Sequence, residues 1–171
     1  DDLKATFNPG YVTTDFMDIC KDPEIQMVVC GTKPDFRIPI MKAAVEHGKH
    51  LFVEKPLCFD DDEIPAMLAV MKDAPIKFMV GFNRPYSPMM RDVKPIFNAN
   101  KGGNTTIIYR IIGEARLWPK HHYDAVIVDK ESTIIHEATH IFDLLNWLTD
   151  LYPNRVYTAG EGNVDNIITL N

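Results

Sequence analysis

The sequence predicts an α/β fold: the later part of a parallel sheet covered by helices, followed by the beginning of an α+β unit with an open, mainly antiparallel sheet. Three observations predict it. Short apolar runs alternate with helix-like stretches along the earlier part of the chain, the pattern of strands joined by crossover helices. A run such as Ile25 to Cys30 (IQMVVC) is compactly apolar, as in strands buried on both faces. Beyond Phe82 the texture changes to proline-punctuated segments and then to β-branched runs, which divides the chain into residues 1–82 and 83–171.

Taken in order, Val12-Thr13-Thr14 is a short candidate strand. Asp15 to Lys21 reads as a short helix with Asp15 as its N-cap. Ile25 to Cys30 is the next strand. Phe36 to His47 is helical, with Pro39 tolerated in the first turn and Gly48 as the stop. His50 to Val53 is a strand that leads into Glu54-Lys55-Pro56. An amphipathic helix begins at Asp60 to Glu63, where the helix dipole favours negative charge, and carries Ile64, Met67, Leu68 and Met71 at i, i+3, i+4, i+7. Lys77 to Phe82 is another strand, so the order matches the later part of a doubly wound nucleotide-binding sheet.

In the second part, Pro85, Pro88 and Pro95 punctuate a loop and a helix, and Lys101 to Asn104 makes a turn. Thr105 to Ile112 is β-branched and reads as a long strand. Thr133 to Leu148 reads as a helix whose core stripe is Ile141, Leu144, Leu145 and Leu148. Strand-like pieces at Arg155–Thr158 and Asn166–Leu170 follow.

Composition narrows the classes. The 171 residues are 46% hydrophobic and 25% charged, with a formal net charge of −6. These are globular values. The acidic excess argues against a nucleic-acid partner, because a phosphate-binding surface needs basic residues. No apolar run approaches the roughly 20 residues that cross a bilayer, so no membrane partner is expected. Cys20, Cys30 and Cys58 show no C-x-x-C spacing and read as reduced, packed thiols, which fits a cytoplasmic location.

Three motifs stand in order: Gly48-Lys49-His50-Leu51-Phe52-Val53-Glu54-Lys55-Pro56-Leu57, then Gly81-Phe82-Asn83-Arg84-Pro85-Tyr86-Ser87-Pro88, then His140-Ile141-Phe142-Asp143-Leu144-Leu145-Asn146-Trp147-Leu148. Together they resemble the Gfo/Idh/MocA family, that of glucose–fructose oxidoreductase and inositol dehydrogenase, from about Tyr11 to Asp150. The resemblance implies an NAD(P)-dependent dehydrogenase that moves hydride between NAD or NADP and a hydroxyl carbon of a sugar, polyol or inositol-like substrate. It implies Lys55 and His140 as catalytic residues and Thr32, Pro34, Glu54 and Lys55 as the cofactor's contacts. Arg84, Tyr86 and His136 would be substrate contacts, and the protein a homodimer or homotetramer. Where relatives carry Thr/Asn-Pro and then a histidine, this chain has an inserted Lys33 and Arg37. Where they carry aspartate or glycine four residues before the catalytic histidine, it has His136.

The chemistry agrees with the residue types. A lysine at the carboxyl edge of a parallel sheet points an ammonium into the ligand crevice. Oxidation of an alcohol needs a base for the hydroxyl proton and a cation for the developing alkoxide. Lys55 suits the second task, His140 the first, with Glu54 and Asp143 as orienting carboxylates. Read without the resemblance, Glu54-Lys55-Pro56 is also what a solvated strand exit would show.

Two further readings stand beside this one. His136-Glu137-Ala138-Thr139-His140 matches H-E-x-x-H, whose two imidazoles share a helical face and can hold zinc. Its third ligand would have to come from Glu161, in what reads as a flexible stretch, and no metal is expected. The sequence also contains no G-x-G-x-x-G turn. That turn holds a dinucleotide's pyrophosphate. The chain therefore reads as N-terminally incomplete, and a non-catalytic binding module of the same fold is the alternative to an enzyme.

Overall fold

The computed structural model describes residues 2–58, 62–110, 119–120, 137–161 and 165–170. The chain divides into two compact units, Asp1–Gly81 and Phe82–Asn171.

In the first unit the elements are α1 (Asp2–Phe7), α2 (Phe16–Lys21), β1 (Met27–Cys30), a 3₁₀ turn (Pro34–Phe36), α3 (Arg37–Glu46), β2 (His50–Val53), α4 (Glu63–Met71) and β3 (Phe78–Val80). The strands form a parallel sheet in the order β1-β2-β3, with Met27 beside His50 and Leu51 beside Phe78. Alternate residues turn to one face. Val28, Cys30, Leu51 and Val53 are buried there in one core with Ile40, Met41, Ala43 and Ala44 of α3, Met67 of α4 and Cys20 of α2. On the other face Met27 and Val29 are 55% and 63% exposed. The compact apolar run therefore overstates the burial of β1, which is half-covered among the described residues.

Local chemistry sets the ends of these elements. Asp15 caps α2 from extended backbone, its carboxylate accepting the Met17 N–H at 2.9 Å. Val12-Thr13-Thr14 is not a strand. The Thr13 hydroxyl accepts the Asp15 N–H at 3.0 Å and donates to the Asp18 carboxylate at 2.6 Å, local bonds that compete with a ladder. Helix α3 ends in a Schellman motif. Gly48 takes φ +68°, its N–H reaches Val45 O, and the Lys49 N–H reaches Ala44 O at 2.8 Å, a geometry that favours glycine. Helix α4 buries a narrower stripe than its spacing predicts: Met67 is buried and Met71 packs beside it, while Ile64 and Leu68 face outward.

The second unit contains a 3₁₀ turn (Arg84–Tyr86), α5 (Pro88–Asn100), α6 (Thr139–Thr149) and an antiparallel pair, β4 (Val156–Glu161) with β5 (Asp165–Leu170). Ser87 caps α5 by accepting the Met90 N–H. Leu144 and Leu148 form the buried stripe of α6, with Ile141 and Leu145 half-buried. Lys94 joins α5 to the end of α6: its ammonium donates to Trp147 O and to the Asp150 carboxylate and lies 4.6 Å from the centre of the Trp147 ring.

Two expectations are corrected here. Thr105 to Arg110 forms no strand and is exposed throughout. β-propensity expresses packing and pairing more than an intrinsic backbone preference, and no ladder partner meets this segment among the described residues. Ile111 and Ile112 lie outside those residues, as do Asp60 and Asp61 of the α4 start and Thr133 to His136 of the predicted α6 helix. Glu161, read as part of a flexible stretch, instead ends β4. No helix among the described residues is long and apolar enough to cross a membrane.

Candidate active site

Parallel strands end on the same side, so the segments leaving β1 and β2 lie together at one edge of the sheet. The ladder continues one step past each strand: the Glu54 N–H donates to Cys30 O at 2.9 Å and the Gly81 N–H to Val53 O at 2.8 Å. Glu54 is thereby held beside the ends of both neighbouring strands. Its carboxylate accepts the Lys55 N–H at 3.2 Å and lies over Gly81, where an added Cβ would meet it at 3.1–3.2 Å. Lys55 is half-buried, joined by a cis peptide to a buried Pro56. Pro34 opens the 3₁₀ turn that leaves β1, and the Thr32 hydroxyl lies 3.4 Å from Cys30 Sγ.

Arg37 connects these segments. It is only 4% exposed, yet all its described bonds go to backbone carbonyls. Nε and Nη2 donate to Thr32 O at 2.9 and 2.6 Å, and Nη1 donates to Glu54 O at 2.5 Å and to Pro56 O. Burial lowers the guanidinium's pKa, and Cys30 and Glu54 oppose that shift. Thr32, Pro34, Glu54 and Lys55 thus share one sheet edge, with Thr32 and Glu54 joined through Arg37.

In the second unit Arg84 and Tyr86 share the 3₁₀ turn after Asn83. Arg84 Nη1 donates to the Tyr109 hydroxyl at 3.1 Å, and Nη2 lies 3.7 Å from the Glu137 carboxylate. Both residues line an open cleft of about 490 Å³ with Asn83, Met89, Tyr109 and Leu144. Tyr86 is exposed. His140 is buried in the first turn of α6, its ring edge-on to Phe82 with centroids 5.7 Å apart, and Leu144 of the cleft wall follows one turn later. Burial raises the pKa of Asp143, the carboxylate expected to orient His140. His136 lies outside the described residues, so the structure does not describe the imidazole pair of the zinc reading.

A profile described as "oxidoreductase family, NAD-binding Rossmann fold" (GFO_IDH_MocA) matches residues 3–82. Residues 3–82 are thus a Gfo/Idh/MocA oxidoreductase segment. A similar curated protein is the inositol 2-dehydrogenase/D-chiro-inositol 3-dehydrogenase of Lactiplantibacillus plantarum, 29% identical over 92% of this chain and 45% of the relative. The levoglucosan dehydrogenase of Pseudarthrobacter phenanthrenivorans is 40% identical over 76 residues, 44% of this chain and 20% of the relative. The scyllo-inositol dehydrogenase of Lactobacillus casei, solved with bound NAD(H) and scyllo-inositol, superposes with a TM-score of 0.73 over 94% of this chain and 48% of that one, at 22% identity. That last likeness is one of fold. The chain spans under half the length of these relatives.

Two residues of the candidate sites, Arg37 and Tyr109, carry little local signal in the sequence. In the sequence Arg37 stands out only as the residue at the place where relatives carry histidine. Its signal is a cation in the first turn of a helix, where the dipole disfavours it, directly after a strand exit. Tyr109, the partner of Arg84, was hidden inside a predicted strand.

Proposed function

We propose that this chain contributes the catalytic part of an NAD(P)-dependent oxidoreductase that moves hydride between a nicotinamide cofactor and a hydroxyl carbon of a sugar, polyol or inositol-like substrate. One observation carries the reading: Glu54-Lys55-Pro56 leaves the central strand of a parallel sheet at its carboxyl edge, within a segment of this oxidoreductase family. The names of the similar dehydrogenases support the polyol class.

The residues at that edge suit the nicotinamide end of a dinucleotide: Thr32 and Glu54 are polar and exposed, and Pro34 and Lys55 are partly shielded. Thr32, Pro34, Glu54 and Lys55 would hold it, and when bound it supplies the hydride acceptor or donor. Lys55 stabilises negative charge on the substrate oxygen as its proton leaves, which is worth most where water is excluded. His140 takes that proton, its buried ring held edge-on by Phe82. Arg84, fixed between Tyr109 and Glu137, offers its remaining N–H groups to substrate hydroxyls, and Tyr86 presents an exposed phenol on the same cleft. His136 is assigned to the substrate as well. NAD and NADP are both candidates, and the active assembly is a homodimer or homotetramer.

The test is titration of NADH against this chain and against a version extended upstream, followed by an assay with inositols and sugars. Binding in either form, with reduction of NAD⁺ or NADP⁺ by a polyol, supports the reading. No binding in either form favours a non-catalytic module. Stoichiometric zinc by elemental analysis, lost in His136→Ala, would instead favour a metal site. Light scattering of the active form reads the assembly.

A further inference from the structure

We infer that Arg37 is the positioning residue of Lys55, acting through the backbone carbonyls on either side of it; this rests on the role proposed above for Lys55. The placement is costly in three ways. A guanidinium leaves water almost entirely, which disfavours a charge lacking compensation. It stands in the first turn of α3, where the helix dipole opposes a cation. And it immobilises a long side chain rich in rotamers.

What offsets these costs is specific. Glu54 O and Pro56 O are the carbonyls directly before and after Lys55, and one nitrogen, Nη1, takes both. Nε and Nη2 together take Thr32 O, in the segment leaving the adjacent strand. The planar fork of Arg ties three carbonyls from two loops to one side chain, which the point charge of a lysine does less rigidly. The backbone that aims the Lys55 side chain is therefore set by a residue that need not touch substrate. Segments leaving a sheet are otherwise its most variable parts, and a misplacement of about 1 Å in a reacting group costs on the order of 100-fold in rate.

The experiment compares Arg37→Lys and Arg37→His with the unsubstituted chain, in whichever form, as given or extended, transfers hydride. Two readouts are taken. The first is kcat and KM for polyol and nucleotide. The second needs no turnover: the acetylation rate of Lys55 relative to exposed Lys42 and Lys72, read by mass spectrometry. The expected result is a fall in kcat of about 100-fold with both KM values within about threefold, and a Lys55 labelling rate altered at least threefold against the reference lysines. If no form transfers hydride but the labelling of Lys55 still changes, the enzymatic reading has failed and the positioning role stands. Unchanged labelling together with unchanged kcat overturns the proposal. So does loss of the folded transition in both variants, which would make Arg37 a residue of stability alone.

Discussion

Glycine at position 81 is where the packing of the site can be read as a free energy. An added Cβ would meet the Glu54 carboxylate at 3.1–3.2 Å, closer than comfortable contact. The obstacle is the far end of an exposed, flexible side chain, so Gly81→Ala swings it aside and leaves the backbone in place. The cost is the long 3.2 Å bond from the Lys55 N–H, about 0.5–1.5 kcal/mol. Against it stands a gain of about 0.4–1 kcal/mol from the narrower unfolded ensemble of alanine, available because Gly81 does not have the positive φ found at Gly48 and Gly103. The two nearly cancel, so Gly81→Ala alone shifts the urea midpoint little. In a Glu54→Ala background the obstacle is gone, and the same substitution stabilises by about 0.4–1 kcal/mol. A double-mutant cycle should therefore give a coupling of about 1 kcal/mol. Equal effects of Gly81→Ala in both backgrounds would refute the placement of the carboxylate over the β3 exit.

Other consequences follow from the same geometry. Asp15→Ala removes the cap of α2 and lowers unfolding free energy by about 1 kcal/mol in chemical denaturation, with Asp15→Asn recovering most of it. Met41→Ala opens a hole in the fully packed face of α3 and costs about 2–5 kcal/mol by the same measurement. The Lys94 ammonium, donating to Asp150, holds that carboxyl below its ordinary value. Its stabilisation is present above the usual aspartate range and is lost as pH falls through the lower folded value. Thermal scans below about pH 4 should thus show an acid-side loss that Lys94→Met diminishes. Burial shifts Asp143 the other way. Stability from that group is greatest below the usual aspartate range and falls as pH rises, so Asp143→Asn raises the melting temperature at pH 7.

The parts of the fold legible in the sequence are those written in local chemistry. Asp15 before a helix and Gly48 after one act within a few residues, and both ends lie where the caps put them. The strands from Met27 and His50 are short apolar runs between such signals, and they pair in parallel as a strand–helix–strand order requires. Distant partners were not legible. Thr105 to Arg110 has the residues of a strand without a described neighbour, and Thr13 spends its hydroxyl on the next turn instead of a ladder. Ile64 and Leu68 have helical spacing but no facing layer among the described residues. The site divides in the same way. Glu54, Lys55 and Pro56 were visible as a motif, whereas the clamp from Arg37 joins residues up to 19 positions away and has no local trace beyond a cation at an unfavourable helix end.

Single-turnover hydride transfer in the form of the chain that binds NADH bears most directly on the role of Lys55. Replacing that residue by methionine removes the ammonium while keeping most of the stem. Transfer should slow by at least 100-fold with the NADH dissociation constant within about threefold, since a charge-stabilising group acts mainly in the transition state. Transfer at the original rate, with the methionine chain folded and the nucleotide bound, would contradict the assignment.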